Sequence, residues 1–153
     1  MYVDHNPAPD YTMGISARFN WKNFDVSAAG RIELGDYVYN YNAASVAYNI
    51  LYTEGYWRNA PGYLNDTKFY NRQYQSDYFV QNASFFKLDN ASVGYNFNKI
   101  YDKLLLRLSF TAQNLFVITS YKGQDPEVYG ANGIDNNLYP RSRTYLLGLS
   151  LTY

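Results

Sequence analysis

The feature that most constrains this chain is a strict alternation of apolar and polar residues in five separate stretches. In the last of them, one parity is apolar or aromatic: Tyr145, Leu147, Leu149, Leu151 and Tyr153. The other parity is polar or small except at Leu146. A period of two is the pattern of a β-strand with one apolar face and one polar face. The other four stretches are residues 13–21, 24–34, 91–97 and 104–114.

These stretches predict an all-β protein with an antiparallel sheet of about five strands, suited to crossing a bilayer at a tilt, which takes roughly 9–11 residues. The connections alternate in length. Those at residues 20–23 and 98–103 are short, whereas residues 35–84 and 115–142 form long connections rich in Tyr, Asn and Gly. This asymmetry is typical of outer-membrane barrels, which have short periplasmic turns and long extracellular loops.

Composition excludes several classes of protein and site. The formal net charge is zero, so no nucleic-acid partner is indicated. There is no Cys and only one histidine, His5, which excludes thiolate chemistry and a histidine-based metal site within the chain. We therefore expect no cofactor and no enzymatic activity. Aromatic residues make up 20% of the chain, and Tyr in particular suits boundaries between apolar and wet regions.

The polar parity of the predicted strands carries charged residues in mid-strand. In a soluble sandwich they would face solvent, and in a barrel they would line a wet lumen. Aromatic residues at the strand ends assigned to the periplasmic side favour the barrel, because such belts mark the places where strands leave lipid. These are Phe19, Trp21, Phe24, Tyr95, Phe97 and Tyr153. The predicted lumen-facing residues are Arg18, Asp25, Arg31, Glu33, Arg107 and Gln113.

Four stretches, which together cover nearly the whole chain, resemble the C-terminal part of SusC-like TonB-dependent outer-membrane transporters. They are "MGISARFNWKNFDVSAAGR", "SDYFVQNASFFKLDNASVGYNF", "LRLSFTAQNLFVITSYKGQDPEV" and "IDNNLYPRSRTYLLGLSLTY". The resemblance implies a barrel of about 22 strands in the outer membrane of a Gram-negative bacterium. It also implies an N-terminal plug domain, a SusD-like surface lipoprotein as a lid, and energy from TonB acting through the plug. The imported solute would be an oligosaccharide or a peptide.

On this interpretation, residues 1–153 are the C-terminal portion of the barrel, about its last five strands. The plug, the TonB-contacting segment and a signal peptide are not recognised, so the chain is expected to be a fragment that relies on the remainder of the barrel and on outer-membrane lipid. Two alternatives remain open. One is a barrel fragment or assembly partner with a structural role and no transport, and the other is a soluble, sugar-binding β-sandwich.

The long connections hold the other candidate residues. Residues for contact with substrate or lid are Tyr41, Tyr56, Trp57, Tyr121, Lys122, Asp125 and Glu127. Alternatively, the Tyr residues pack the loops against one another. A weak calcium option comprises Asp125, Glu127 and Asp135, whose spacing matches no EF-hand loop. Residues 45–59 are predicted to form a short amphipathic helix with Ser45 as its N-cap.

The last strand resembles the terminal signal that the barrel-assembly machinery recognises. Its pattern combines a glycine with hydrophobic or aromatic residues toward the terminus. Gly148, Leu151 and Tyr153 fit this pattern, whereas Leu146 lies where a polar residue is usual. We expect these residues to act in assembly rather than in transport.

Overall fold

The computed structural model describes residues 5–48, 55, 59, 62, 64–101, 104–127 and 132–152. Its elements in chain order are β1 (Tyr11–Trp21), β2 (Phe24–Leu34), β3 (Tyr37–Asn40), α1 (Tyr41–Val46), α2 (Leu64–Thr67), a 3-10 helix (Asp77–Phe79), β4 (Val80–Asn82), β5 (Phe85–Tyr101), β6 (Leu104–Thr119), β7 (Ile134–Asp135) and β8 (Thr144–Thr152). Among the described residues, no helix is both long and apolar enough to cross a membrane.

The chain divides into two compact units. The sheet unit comprises Tyr11–Glu33, Phe85–Thr119 and Arg141–Tyr153. The loop unit comprises Met1–Asp10, Leu34–Ser84 and Ser120–Pro140. The alternating stretches therefore form one unit, and most of the two long connections forms the other.

The sheet unit is a five-stranded sheet in the order β1-β2-β5-β6-β8. The β2–β5, β5–β6 and β6–β8 pairs are antiparallel. The five strands and the all-β fold predicted from the period of two are thereby confirmed. Strands β5 and β6 are longer than predicted, since β5 begins at Phe85 and β6 continues to Thr119.

An irregularity in β5 explains why its first half does not follow the pattern. Against β2, Ala29 pairs with Asn90 and Gly30 pairs with Leu88, so Asp89 is an extra residue in β5. The β5–β6 register is also irregular here, because Leu88 pairs with Phe116 and Asn90 with Gln113, which leaves two residues of β6 opposite Asp89. Such a bulge moves the apolar face to the other parity, from Leu88 before it to Ala91 after it. Across the pair, Asn114 of β6 has a positive φ of 55°.

The loop unit contains a second, smaller sheet in the order β4-β3-β7. β3 pairs antiparallel with β4 and parallel with β7, and thereby joins the first long connection to the second. The helix α1 begins next to this sheet because the Asn40 side chain caps it, accepting a hydrogen bond from the Ala43 backbone N–H at 2.8 Å.

The helix predicted for residues 45–59 begins at a different residue in the structure, so its predicted start is wrong. Ser45 lies inside α1, where its hydroxyl donates to the Asn42 carbonyl at 2.8 Å, and the helix ends at Val46. The cap is Asn40, five residues earlier in the chain than the predicted cap. Most of the predicted segment after Tyr48 lies outside the described residues.

The loop unit has its own buried clusters. Ala43, Ala44, Ala47 and Phe79 form one cluster, with Tyr39 and Phe69 packed against it. Val38, Ala83 and Tyr121 form the other. The Tyr48 side chain is buried, and its hydroxyl accepts a hydrogen bond from Arg72 Nη2 at 2.9 Å. Several tyrosines therefore pack the long connections internally, as the second interpretation of this segment expects.

Asp36 is the carboxylate with the least favourable surroundings in the loop unit. Its side chain is fully buried, at 0% exposure, and neither carboxylate oxygen has a hydrogen-bond partner among the described residues. Burial without a partner disfavours the charged form, and this raises the pKa of Asp36 above its ordinary value. The folded protein therefore holds the Asp36 proton more tightly than the unfolded chain does.

We predict that Asp36→Asn removes a pH-dependent cost to stability. Because the pKa is raised in the folded state, the favourable contribution of the protonated carboxyl is present below about pH 3.9 and is lost as the pH rises through the folded-state pKa. Over that window the free energy of unfolding of the wild type falls by up to about 1.4 kcal/mol per pH unit relative to the variant. Urea titrations of the protein in detergent, at steps between pH 4 and pH 8, measure this difference.

The matched control is Asp77→Asn, which changes an exposed aspartate of the same unit. The pH dependence of the stability difference from the wild type is expected to be larger for Asp36→Asn than for Asp77→Asn, because of the two only Asp36 is buried. Parallel curves for Asp36→Asn and the wild type would contradict the prediction.

Candidate functional site

One face of the sheet is apolar and exposed from one edge strand to the other. The exposed fractions of Phe19, Ile118, Leu147 and Leu149 are 65%, 64%, 77% and 64%. In a soluble β-sandwich these side chains would pack against a second sheet. Among the described residues these side chains are exposed, so the buried interior that a β-sandwich requires is not present on this face. An apolar surface of this extent marks contact with a membrane or with another protein.

The opposite face is polar, and its side chains bond across the strands. The hydroxyls of Ser27 and Ser92 lie 2.8 Å apart on the paired strands β2 and β5. Arg31 of β2 donates from Nη2 to Asp89 Oδ1 of β5 at 3.2 Å. The bulge residue Asp89 thus has a partner on this face, a pairing that the sequence pattern did not indicate.

The main interaction on the polar face joins Asp25 to Arg107 across the middle strand. Asp25 lies on β2 and Arg107 on β6, with β5 between them. Both guanidinium Nη atoms donate to the carboxylate, Nη2 to Oδ2 at 2.7 Å and Nη1 to Oδ1. Arg107 Nη1 also donates to Asn96 Oδ1 at 3.1 Å. A two-pronged pair of this kind is stronger and more specific in geometry than a single hydrogen bond.

The pair fits because β5 has a glycine beneath it. In the register, Gly94 faces Asp25 on one side and Ser109 on the other. A Cβ added at Gly94 would lie 2.7 Å from Asp25 Oδ1 and 2.8 Å from Arg107 Cζ. A side chain at this position would therefore displace the ion pair, so the glycine leaves room for a contact that links three strands.

The other predicted lumen-facing residues also lie on the polar face. Arg18, Asn20 and Lys22 line a recess of about 360 Å³ together with Asp25, Asn96 and Arg107. Glu33 pairs in register with Phe85, and Gln113 pairs with Asn90 and Thr144. The structure thus brings Arg18, Asp25 and Arg107 together, whereas Arg31, Glu33 and Gln113 lie farther along the sheet.

Aromatic side chains gather at the end of the sheet that has the short connections. The Phe24 and Tyr95 ring centroids lie 4.5 Å apart, and those of Tyr95 and Phe97 lie 4.6 Å apart. Trp21 precedes the turn at Lys22, whose ammonium lies 5.0 Å from the centroid of its ring. Tyr153 lies outside the described residues.

Two of the candidate contact residues in the loop unit are buried. Tyr121 is 6% exposed, and its hydroxyl donates to Asp135 Oδ2 at 2.7 Å. Asp125 is 8% exposed and accepts from the Glu127 backbone N–H at 3.0 Å. Both side chains are buried within the loop unit, and the period of the sequence gives no signal of that burial. Their contact with a substrate or a lid stays a prediction.

The remaining candidates are in part accessible. Tyr41 is 42% exposed and stacks on Tyr74, with ring centroids 5.9 Å apart. Lys122 is exposed and Glu127 is half-buried. Tyr56 and Trp57 lie outside the described residues.

The carboxylates of the calcium option do not form a metal site. Among the described residues, no group of three or more His, Asp or Glu side chains could hold a metal ion. Asp135 is instead held by Tyr121 and by the Asn137 backbone N–H, which donates to Oδ1 at 2.8 Å.

The residues predicted to form an assembly signal lie on β8. Gly148 pairs with Ser109, whose hydroxyl donates to the Gly148 carbonyl at 3.4 Å, and Leu151 is exposed. Their role in assembly stays a prediction.

Known proteins resemble this chain over nearly its whole length, including the five-stranded sheet. No family model matches the chain. The TonB-dependent receptor SusC of Bacteroides thetaiotaomicron is 39% identical to it, over 99% of this chain and 16% of that receptor. The chain belongs to the SusC-like TonB-dependent receptors. The TonB-dependent receptor P3 of Formosa agariphila is 27% identical, over 97% of this chain and 17% of its own length.

Solved structures agree on the fold. A chain of the RagAB peptide importer in its closed-closed state matches 97% of this SusC-like chain with a TM-score of 0.76 and 23% identity. A second RagAB peptide transporter structure gives a TM-score of 0.78. In both, the match covers 18% of the longer chain. This SusC-like chain therefore spans about one sixth of the length of the relatives that it matches.

We predict that Gly94→Ala destabilises the sheet by up to about 1 kcal/mol, because the added Cβ meets only the ends of the Asp25 and Arg107 side chains, which can shift at the expense of their partly exposed ion pair. The new Cβ would push Asp25 and Arg107 apart. The further change Asp25→Asn should then cost less in the Gly94→Ala background than in the wild type, and urea titration of all four proteins measures this coupling.

The matched control is Gly14→Ala on β1, where an added Cβ meets no atom within 4 Å. It should leave stability unchanged or slightly raised, since alanine restricts the unfolded chain. Equal effects of the two substitutions, or purely additive effects of Gly94→Ala and Asp25→Asn, would contradict the role given to the ion pair.

Proposed function

We propose that this chain forms part of the wall and of the extracellular loops of an outer-membrane TonB-dependent importer of oligosaccharides or peptides. The observation that carries the proposal is the two-faced sheet. One face exposes apolar side chains along the strands, and the other holds paired charges and hydroxyls. Lipid on the first side and a wet lumen on the second satisfy both faces.

Strand length and aromatic placement support the lipid-facing assignment. β1 and β2 have 11 residues each, which suits a tilted crossing of a bilayer core of about 30 Å. The aromatic cluster around Phe24, Tyr95 and Phe97 would lie at the periplasmic interface, where rings with polar tips are favoured. The long connections would then emerge on the extracellular side.

The polar face would form part of the lumen wall. Arg18, Asp25, Arg31, Glu33, Arg107 and Gln113 would bear on packing against the plug or on passage of the solute. The ion pair between Asp25 and Arg107 would fix the side chains around a recess that keeps Arg18 and Lys22 available to an anionic group.

Because this chain spans about one sixth of the length of its relatives, its proposed partners are the other parts of such a transporter. β1 and β8 are the edges of the sheet, and exposed edges require pairing. We assign that pairing to strands of the remainder of the barrel. Energy would arrive from TonB through a plug domain, and a SusD-like surface lipoprotein would close over the loops. The likeness to SusC and to the RagAB peptide importer supports this assignment.

The test is one substitution made on each face of β8. Leu147 lies on the apolar face at 77% exposure, and its neighbour Leu146 lies on the polar face opposite Thr111. An arginine on the lipid face costs about 2–4 kcal/mol near the middle of the bilayer, whereas an arginine in the lumen remains in water. Leu147→Arg should therefore lower the amount of folded protein in the outer membrane, and Leu146→Arg should not.

The measurement is the fraction of heat-modifiable, protease-resistant protein in purified outer membranes. Because the two positions are neighbours and receive the same side chain, a general effect of arginine on the strand would lower both. Equal insertion of the two variants, or a protein that remains in the aqueous fraction, would contradict the proposed function.

A further inference from the structure

The loop unit contains a cavity of about 280 Å³. Three segments supply its lining. Tyr78 and Phe79 come from the 3-10 helix, and Gln81 and Asn82 come from β4. Ser120 and Lys122 come from the start of the second long connection.

Two hydrogen bonds fix the orientation of the amide side chains in this lining. The Lys122 backbone N–H donates to Gln81 Oε1 at 3.2 Å, and the Ser84 backbone N–H donates to Asn82 Oδ1 at 2.9 Å. A backbone N–H can only donate, so in each amide the oxygen must face it and the NH₂ group must face the other way. Both amide oxygens are thereby occupied by the protein.

The groups that remain available are therefore mainly donors. They are the NH₂ groups of Gln81 and Asn82, the hydroxyl of Ser120 and the ammonium of Lys122. Neither Asp nor Glu is among the described residues that line the cavity. Ser120 and Lys122 are exposed, and in the described part of the chain no ion pair involves the Lys122 ammonium. A site with this polarity favours a ligand that is rich in acceptors and negatively charged.

An aromatic side chain borders the donors. Tyr78 is 49% exposed, and its ring packs edge-to-face on Phe79 with centroids 5.3 Å apart. Phe79 is 1% exposed and belongs to the buried cluster of α1, so it anchors the Tyr78 ring. A fixed, half-exposed ring offers apolar contact to a sugar ring or to a side chain at low entropic cost.

We propose that this cavity binds a carboxylate group of the transported solute. The inference rests on the proposed function and narrows its substrate to acidic solutes. Lys122 supplies the charge, the NH₂ groups of Gln81 and Asn82 bind the carboxylate oxygens, and Tyr78 packs against the body of the ligand. The carboxylate comes from a uronic acid of an oligosaccharide or from the carboxyl terminus of a peptide.

The experiment measures binding by calorimetry with the full protein in detergent and two pairs of probes. The first pair is trigalacturonate and neutral galactotriose. The second pair is the tripeptide Gly-Gly-Tyr and its C-terminal amide. In at least one pair, the acidic member should bind about tenfold or more tightly than the neutral member, and the difference should shrink as salt is added. The pair that discriminates identifies the source of the carboxylate.

Three variants assign the effect to the cavity. Lys122→Met should abolish the preference for the acid, and Lys122→Arg should largely retain it. Gln81→Glu keeps an oxygen for the Lys122 backbone N–H but adds negative charge, so it should weaken binding of the acid by about tenfold or more. The matched control Lys68→Met removes an exposed lysine of the same unit that does not line the cavity, and it should bind as the wild type does.

The inference is overturned if neither acid is preferred over its neutral match, or if Lys122→Met binds as the wild type does. An equal loss in Lys68→Met would also overturn it, because the effect would then follow net charge alone. Each of these failures leaves insertion of the wild type into the outer membrane unaffected. Failure of the proposed function would instead appear as wild-type protein outside the outer membrane.

Discussion

The surface that the rest of this structure depends on is the apolar face of its five-stranded sheet, which the chain itself leaves exposed. Burial of apolar surface normally drives folding, at about 25 cal/mol per Å² removed from water. Leu147 and Leu149 on β8, like Phe19 on β1, gain little of this within the described residues. On the proposed function a bilayer covers them, and a bilayer requires that backbone groups be paired. Within the sheet each strand pairs with its neighbours, and β1 and β8 are its two edges.

The polar face complements this arrangement. On the proposed function its strands are not fixed by a packed core, because both faces of a barrel wall adjoin a solvent, lipid on one side and water on the other. Hydrogen bonds and ion pairs between side chains of different strands help to hold the strands in place instead. The Asp25–Arg107 pair spans β2, β5 and β6 over Gly94, and the Arg31–Asp89 pair ties the bulge of β5 to β2. The loop unit is organised differently, around small buried clusters, and it accommodates the buried carboxylate of Asp36, which has no hydrogen-bond partner among the described residues, at a cost.

The sequence predicts the sheet well, because residues facing alternate sides impose a period of two that is visible without any tertiary information. It fails where this local rule is interrupted. The bulge at Asp89 moves the apolar parity, so the first half of β5 is not recognised. The parallel pairing of β3 with β7 joins segments far apart in the chain, and Tyr121 and Asp125 are buried by that tertiary arrangement. The sequence predicts Ser45 as the N-cap of α1, whereas the cap in the structure is Asn40. Both residue types are suitable caps, and only the contacts of the loop unit select Asn40. The alternation of polar and apolar residues is enough to place Arg18, Asp25 and Arg107 on the polar face. The role of Gly94 is visible only once the pairing register of the strands is known.

Spin labels along β8 can measure whether the apolar face of the sheet contacts lipid. Because the chain has no Cys, single cysteines from residue 144 to residue 152, omitting the tightly packed Gly148, can each carry one label. Relaxation by oxygen, which concentrates in lipid, is compared with relaxation by a water-soluble nickel chelate in membranes that contain the protein. We expect a period of two, with oxygen dominating at 145, 147, 149 and 151 and the nickel chelate dominating at the alternate positions. Equal access of the nickel chelate to both sets of positions would contradict it.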